Sequence, residues 1–199
     1  MPEQPTVPVH SDHADSVTDL VPVADLVARE ARGYLSTVTE VAAGANPEAA
    51  IPLLLLAISD VLGAGARLGA MVDVVPVERF EPDIGPDADL DPLRAALENV
   101  LDGIDDYSEV VDPVLGAEVE MSTISGDLVL VAGALAQGLR HFEAGQELEA
   151  LWWWQFSYLS AWGERATTAL RVLLSVLGHL RLDVDDDVAA EAEFDALHP

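Results

Sequence analysis

Two pairs of acidic residues have the i, i+3 spacing by which a helix places two carboxylates side by side. Glu78 and Glu81 form one pair, and Glu109 and Asp112 form the other. Four carboxylates that converge from facing helices would hold a hard cation such as Mg²⁺ for hydrolytic chemistry. Prolines flank both pairs, so the pairs fall in irregular chain. The sequence therefore predicts no metal site from them.

A second acidic pattern imitates a calcium-binding loop. Asp87, Asp89 and Asp91 alternate along the chain and are followed by Glu98. Pro92, however, stands where such a loop needs a glycine for its sharp turn. An aspartate directly before a proline is typical of a helix start, and this explains Asp91 better than a calcium site does.

Other catalytic patterns are absent from the sequence. The chain has no cysteine, which excludes thiol chemistry and zinc–thiolate sites, and its five histidines lie in the tails or near predicted helix ends. No glycine-rich phosphate loop follows a predicted strand. The sequence predicts no catalytic residue, no metal and no cofactor, and it favours a non-enzymatic role.

Polar and aromatic side chains embedded among apolar residues are the remaining candidates for a site. Arginine is scarce, at nine residues with no lysine, so an arginine in apolar surroundings is expected to have a carboxylate partner. The set has two interpretations: an internal network that braces irregular segments, or a pocket that holds a ligand. The candidate residues are Trp153, Trp162, Tyr158, Gln155, Arg165, Arg67, Arg79 and Tyr107.

The stretch 147–181 must position most of these residues, because it holds all four tryptophans and the densest run of leucines. Three adjacent indoles cannot all enter one core, so either this helix is sandwiched between two layers or Trp153 lines a groove. Gly163 predicts the start of a second helix. At helical spacing, one buried stripe is Leu148, Trp152, Phe156 and Leu159, and its neighbour is Leu151, Trp154, Tyr158 and Trp162.

The pattern of apolar residues predicts an all-α single domain of about six helices. Apolar residues recur at threes and fours in segments that stop at Gly44 and at Gly145. These segments predict two αα-hairpins packed around the Trp-rich helix, with irregular acidic segments at 72–92 and 105–120. The two hairpins share one sequence offset, which fits either an internal duplication or coincidence.

Composition also predicts where the domain begins and ends. Residues 1–18 are rich in Pro, Asp and Ser and are predicted to form a disordered tail. Residues 19–182 are predicted to form the helical domain, and residues 183–199 an acidic tail.

The formal net charge of −27 argues against direct binding to nucleic acid or to an anionic membrane. The N-terminus has no secretory signal, and no uncharged run reaches the ~18 apolar residues that a membrane span needs. We therefore expect a cytoplasmic protein. The sequence does not set its oligomeric state.

Four segments carry a resemblance to a known family. They are LLLLAISDVLGAGARLGA, VVPVERFEPDIGP, DDYSEVVDP, and EALWWWQFSYLSAWGERATTALR with GHLRLD. Over about residues 38–182 the chain resembles an uncharacterised actinobacterial family catalogued as domain of unknown function 5063. The resemblance implies no activity, cofactor or catalytic residue. It implies only that such genes lie near the gene for a recombination mediator.

Two functions follow as hypotheses. The leading one is a protein-interaction or accessory module, linked to recombination by that gene neighbourhood, which binds an unknown protein partner in a groove lined by Trp153, Tyr158 and Trp162. The alternative is a small-molecule sensor or enzyme with its pocket between the irregular segments and the Trp-rich helix. That pocket would be lined by Tyr107, Arg67, Arg79, Gln155 and Trp162.

Overall fold

Helices dominate the chain, as the sequence predicts. The structure, a computed structural model, describes residues 12–76, 85, 86, 88–110, 116 and 118–182. Within these residues the elements are α1 (Asp12–Ala42), α2 (Pro47–Ala70), α3 (Asp91–Val100), β1 (Asp106–Val110), β2 (Val119–Thr123), α4 (Ile124–Glu143), α5 (Glu147–Ser157), a π-helical turn (Tyr158–Trp162) and α6 (Gly163–Leu182). Since α5, the π-helical turn and α6 follow one another without a break, the described chain forms five separate helices where about six were expected.

Two αα-hairpins are present where the glycine stops predict them. Helix α1 packs on α2 across Gly44, and α4 packs on α5 across Gly145. Both glycines have positive φ, 69° and 77°, the conformation that ends a helix most easily without a Cβ. The hydrogen bonds at the two ends also match, because each glycine N–H donates to the carbonyl three residues before it. Whether the hairpins derive from a duplication stays a prediction.

Helix α1 begins earlier than the sequence analysis expects. It starts at Asp12, so it includes residues 12–18 of the predicted N-terminal tail.

The acidic segment 105–120 was wrongly expected to be irregular throughout. Strands β1 and β2 form an antiparallel two-stranded sheet in which Asp106 pairs with Thr123 and Val110 with Val119. The alternation along β1 buries Tyr107 and half-buries Glu109. Because the inward side chains of β1 are themselves polar, the period-two pattern lacks the apolar signal by which a strand is recognised.

A helix begins at Gly163, as predicted, but it continues the preceding helix without a break. The π-helical turn joins α6 directly to α5. The Gly163 N–H donates to the carbonyl of Tyr158, five residues back, which defines a π-helical hydrogen bond. A Cβ on Gly163 would lie only 2.6 Å from that carbonyl oxygen. Glycine is therefore what permits the turn at this position.

One of the two predicted aromatic stripes is buried and the other is not. Leu151, Trp154 and Trp162 are fully buried and Tyr158 partly so. Phe156 and Leu159, from the stripe that was wrongly expected to be buried, are exposed at 52% and 62%. Helix α4, by contrast, buries its predicted stripe from Ile124 to Leu139.

Helices α2 and α4 are the two most extensively buried helices among the described residues, and α2 is the more apolar. It packs against α1 and α6 and buries nine of its residues. Among the described helices it alone is long and apolar enough to cross a membrane, although a few charged residues interrupt its apolar run. The central helix of a soluble bundle has the same composition, so this property does not separate the two cases.

Candidate functional site

The densest group of polar side chains lies where the β-hairpin meets α4 and α6. We call it the Asp127 cluster: Tyr107, Glu109, Asp127 and Arg165. The Tyr107 hydroxyl donates a short hydrogen bond to Asp127 Oδ2, and Arg165 Nη1 forms an equally short contact with Glu109 Oε1. Arg165 Nη1 also lies 3.7 Å from Asp127 Oδ1. Charge-assisted hydrogen bonds thus connect strand β1 of the sheet to helices α4 and α6.

Burial changes the acidity of two members of this cluster. Asp127 is only 3% exposed, and desolvation raises the pKa of its carboxyl from 3.8 to about 6, although the Tyr107 hydrogen bond and the Arg165 charge pull it down. Burial, together with the hydrogen bond to Asp127, raises the pKa of Tyr107 to about 12. A buried carboxyl with so raised a pKa beside a cleft is a common mark of a functional site.

Asp105 fixes the start of α4 against the sheet. Its carboxylate accepts from the Ser125 N–H at 2.7 Å and from the Ser125 hydroxyl at 2.6 Å, and its carbonyl accepts from the Ile124 N–H at 3.0 Å. Thr123 caps the helix by accepting from the Gly126 N–H at 3.1 Å. The first three amides of α4 are therefore already bound within the chain.

A cleft of about 430 Å³ opens beside the cluster. We call it the Asp127 cleft. Asp127 and Arg165 line it together with the β2 end, the first turn of α4, and Arg94 from α3. Arg94 is exposed, and in the described part of the chain its guanidinium has no hydrogen-bonding or ionic partner. The lining residues are Arg94, Asp106, Met121, Ser122, Thr123, Gly126, Asp127, Leu130 and Arg165.

Gln155 acts as a clamp between α5 and the chain that follows α2. Its amide oxygen accepts from the Val74 N–H at 2.7 Å, and its amide nitrogen donates to the Leu68 carbonyl at 2.8 Å and the Val72 carbonyl at 3.3 Å. The side chain is buried, and all three bonds go to backbone. These contacts match the bracing interpretation of the polar set.

Tyr158 and Trp162 pack on the glycines of α2. Their rings meet edge to face with centroids 4.8 Å apart. A Cβ on Gly65 would lie 2.5 Å from the Tyr158 ring and 2.7 Å from the Trp162 ring, so glycine is needed for this close approach. Trp162 is 1% exposed, and its Nε1 is the one buried side-chain donor without a partner among the described residues.

Trp153 lies against α4 on the opposite side of α5. Its Nε1 donates to the Ala134 carbonyl at 2.9 Å, and its half-buried ring lines a cleft of about 400 Å³ together with Leu90, Gln137 and Arg140. Arg140 donates to the Gly85 carbonyl at 2.8 Å. Trp153 therefore does not share a groove with Tyr158 and Trp162, although each of these residues is placed by the same helix.

The remaining predicted site residues lie apart. Arg67 is exposed on α2 and donates to the Gly63 carbonyl one turn earlier at 3.1 Å. Arg79 lies outside the described residues, as do both members of the Glu78 and Glu81 pair. Among described residues, no group of three or more acidic or histidine side chains is arranged to hold a metal. Of the predicted set, Tyr158 and Trp162 meet ring to ring, and Tyr107 and Arg165 meet through Asp127. The binding role of every member stays a prediction.

The partial exposure of an apolar strip that runs from α5 into the π-helical turn was not predicted. We call it the Phe156 face: Trp152, Phe156 and Leu159. The rings of Trp152 and Phe156 stack with centroids 5.5 Å apart and planes 9° apart. Leu159 borders a shallow cleft of about 350 Å³ whose other walls include Tyr158, Glu164 and Thr167. The only sequence signal for this face was the excess of apolar residues around α5, more than one core can bury.

Comparison with known proteins places the chain in a family and a fold. The family profile described as Domain of unknown function (DUF5063) matches residues 18–179. No curated protein matches the chain significantly. Among solved structures, the chain is similar to protein BF1032 from Bacteroides fragilis, with 16% identity, a TM-score of 0.60, and coverage of 76% of this chain and 89% of that chain. At that identity the likeness concerns the fold alone.

Proposed function

The chain belongs to the family described as domain of unknown function 5063, and from this premise we propose that it is a non-enzymatic interaction module. Its partner is a protein that presents a basic amphipathic segment. The segment's apolar side covers the Phe156 face, and its basic side chains lie against the surrounding acids. The observation that carries the proposal is the exposure of Phe156 and Leu159 next to the half-buried Trp152.

The Phe156 face has the composition of an interaction anchor. A stacked Trp and Phe with an adjacent leucine gives a rigid apolar surface, and aromatic residues supply most of the binding energy in such contacts. Single exposed apolar residues are ordinary on protein surfaces, whereas a contiguous strip marks a docking site. The cleft beside Leu159 gives the strip a concave end in which one partner side chain can be buried.

Charge selects the partner. The chain carries 36 acidic residues against nine arginines. Glu164 lines the cleft at one end of the Phe156 face, and Glu149 precedes Trp152 by three residues on the same side of α5. An acidic segment would be repelled by this field, and a basic one attracted, with a faster association rate at low salt. The same net charge supports the proposed absence of direct nucleic-acid and membrane binding. A cytoplasmic location stays a prediction from the sequence.

The test uses two synthetic helical peptides that share one apolar side and differ only in having arginine or glutamate on the other. Titration into the full chain by calorimetry gives the affinity of each. We expect the arginine peptide to bind at least about tenfold more tightly than the glutamate peptide. A recombination mediator, suggested by the gene neighbourhood of the family, is the natural partner to titrate next.

A matched pair of leucine variants separates the Phe156 face from general attraction between opposite charges. Leu159→Ser should weaken the arginine peptide by about tenfold, because it removes buried apolar area from the contact. Leu174→Ser, at a similarly exposed leucine (59%) on α6, should leave the affinity unchanged. Equal effects of the two variants, or equal binding of the two peptides, would overturn the proposal.

A further inference from the structure

The shallow cleft at the end of the Phe156 face has a polar wall as well as an apolar one. We call it the Glu164 cleft. At about 350 Å³ it is at the lower end of the range of ligand pockets, a size that suits one side chain of a partner. The atoms around this space therefore determine which side chain enters. Its lining residues are Tyr158, Leu159, Gly163, Glu164, Thr167 and Thr168.

Hydrogen-bond acceptors dominate the polar wall. Glu164, Thr167 and Thr168 have i, i+3 and i+4 spacing on α6, so their side chains are neighbours on one face. The exposed Glu164 carboxylate has no hydrogen-bonding or ionic partner in the described part of the chain, and when ionised it can only accept. The Thr167 hydroxyl donates its hydrogen to the Gly163 carbonyl at 2.8 Å, which leaves the lone pairs of its oxygen for the cleft. A side chain with several N–H donors therefore suits this wall.

The charge around the cleft favours a cation. Among the described lining residues, Glu164 is the only charged one. Arg165 is engaged by Glu109 and Asp127 in the Asp127 cluster. Arg171, two turns after Glu164 on α6, does not line the cleft. A partner cation that enters is therefore attracted by Glu164 and meets no basic side chain at the wall.

The Tyr158 ring forms a flat and fixed part of the wall. A Cβ on Gly65 would lie 2.5 Å from this ring, and a Cβ on Gly163 would lie 2.7 Å from it. Trp162 packs against the same ring edge to face. A ring held in this way can offer its surface to a planar cation. Leu159, which is 62% exposed, can cover the aliphatic stem that carries the cation.

Arginine and lysine are both basic, but they differ in the contacts they can make with such a wall. A guanidinium is planar, carries five N–H donors, binds a carboxylate through two of them and stacks on an aromatic ring. An ammonium is compact and more strongly hydrated, so it loses more on leaving water. We propose that the Glu164 cleft binds an arginine side chain of the partner and discriminates against lysine. This inference rests on the proposed function, since the arginine belongs to the basic segment that covers the Phe156 face.

The test compares the arginine peptide with a lysine peptide that differs only in having lysine at every arginine position. The two peptides have the same charge and the same apolar side, so general attraction between opposite charges acts on both. Calorimetric titration into the full chain should show the lysine peptide binding about tenfold more weakly. Replacement of the arginines by lysine one at a time should trace most of this loss to one position, the arginine that enters the cleft.

Failure of this inference and failure of the proposed function give different results. Equal binding of the arginine and lysine peptides, both tighter than the glutamate peptide, would overturn the arginine preference and leave the interaction module intact. A loss spread evenly over all positions would overturn a single arginine site in the same way. An arginine peptide that binds no more tightly than the glutamate peptide would overturn both proposals.

A matched pair of glutamate variants locates the preference. Glu164→Gln removes the charge at nearly constant size and should reduce the preference for arginine over lysine to less than about threefold. Glu40→Gln makes the same change at an exposed glutamate on α1 and should keep the preference of the wild type. Both residues are exposed, so both variants should remain folded, and circular dichroism verifies this. A wild-type preference that survives in Glu164→Gln would show that the cleft is not the site.

Discussion

The Asp127 cluster and the Phe156 face depart from ordinary burial in opposite directions. In the cluster, charged and polar groups are taken out of water; in the face, large apolar groups are left in it. The buried Tyr107 hydroxyl and Asp127 carboxylate each have a partner within the chain, and so does the half-buried Arg165 guanidinium. Phe156 and Leu159 have most of their surface uncovered.

This difference separates structure from function. A buried polar group that is fully bonded stabilises one arrangement of the chain, and its removal leaves its partner unsatisfied. A largely exposed apolar group gains little from the fold, so its removal should cost the fold little. Substitutions should therefore lower stability on one side of the comparison and affinity on the other, and the following changes test this.

The largest effect is expected at Gln155, which precedes Phe156 on α5. Like the Asp127 cluster, its side chain is polar, buried and hydrogen-bonded within the chain. Gln155→Leu keeps the volume but leaves the buried Val74 N–H without an acceptor. We expect the free energy of unfolding to fall by about 2 to 3 kcal/mol. Urea unfolding of the variant measures it. A loss below about 0.5 kcal/mol would mean that Gln155 is not a clamp, and would return it to the list of candidate ligand contacts.

The next effect is a pH dependence of the Asp127 cluster. Because the pKa of Asp127 is raised to about 6 in the folded chain, the folded state holds a proton that the unfolded state has already released at lower pH. The stability from this proton is present at low pH and is lost as the pH rises through about 6. Between about pH 4 and about pH 7 the wild type should lose about 2 kcal/mol relative to Asp127→Asn.

Paired urea titrations at several pH values measure that difference. Comparison with Asp127→Asn removes the contribution of the other acids, whose mutual repulsion grows over the same range. Parallel stability profiles for the two proteins would contradict a raised pKa at Asp127. They would also weaken the case that the Asp127 carboxylate is desolvated.

The smallest effect on stability is expected at the Phe156 face. Phe156→Ser should change the free energy of unfolding by less than about 0.5 kcal/mol, because the ring is half exposed and its main contact is the stack with Trp152. The same variant should bind the arginine peptide more weakly than the wild type. A large loss of stability would place Phe156 with the core and would break the comparison.

The helical part of the fold could be predicted because its signals are local. The stops at Gly44 and Gly145 and the apolar stripe of α4 each follow from residues within a few turns. The β-hairpin could not be predicted in the same way. Tyr107 and Glu109 point inward to partners on α4 and α6 that are 20 and 56 residues away in sequence.

The site could be predicted only in part, for a related reason. Scarce arginines were expected to have carboxylate partners, and Arg165 does, but nothing in the sequence indicated that Tyr107 would join it through Asp127. Both aromatic stripes of α5 were expected to be buried, because both are apolar, and for Phe156 and Leu159 this was wrong. Which one is buried depends on where the glycines of α2 allow close approach, and that is a property of the pair of helices.

The π-helical turn at Tyr158–Trp162 has a consequence for how relatives of this chain should be aligned. It places one more residue in the turn than an α-helix would, so residues after Trp162 are rotated by about 100° from the positions that continuous α-helical counting assigns. A relative that lacks one residue here keeps the length of its helix nearly unchanged while presenting a different set of side chains to α2. A gap of one position in this stretch therefore changes which side chains pack against α2. An alignment of homologues should treat it as a change in the core.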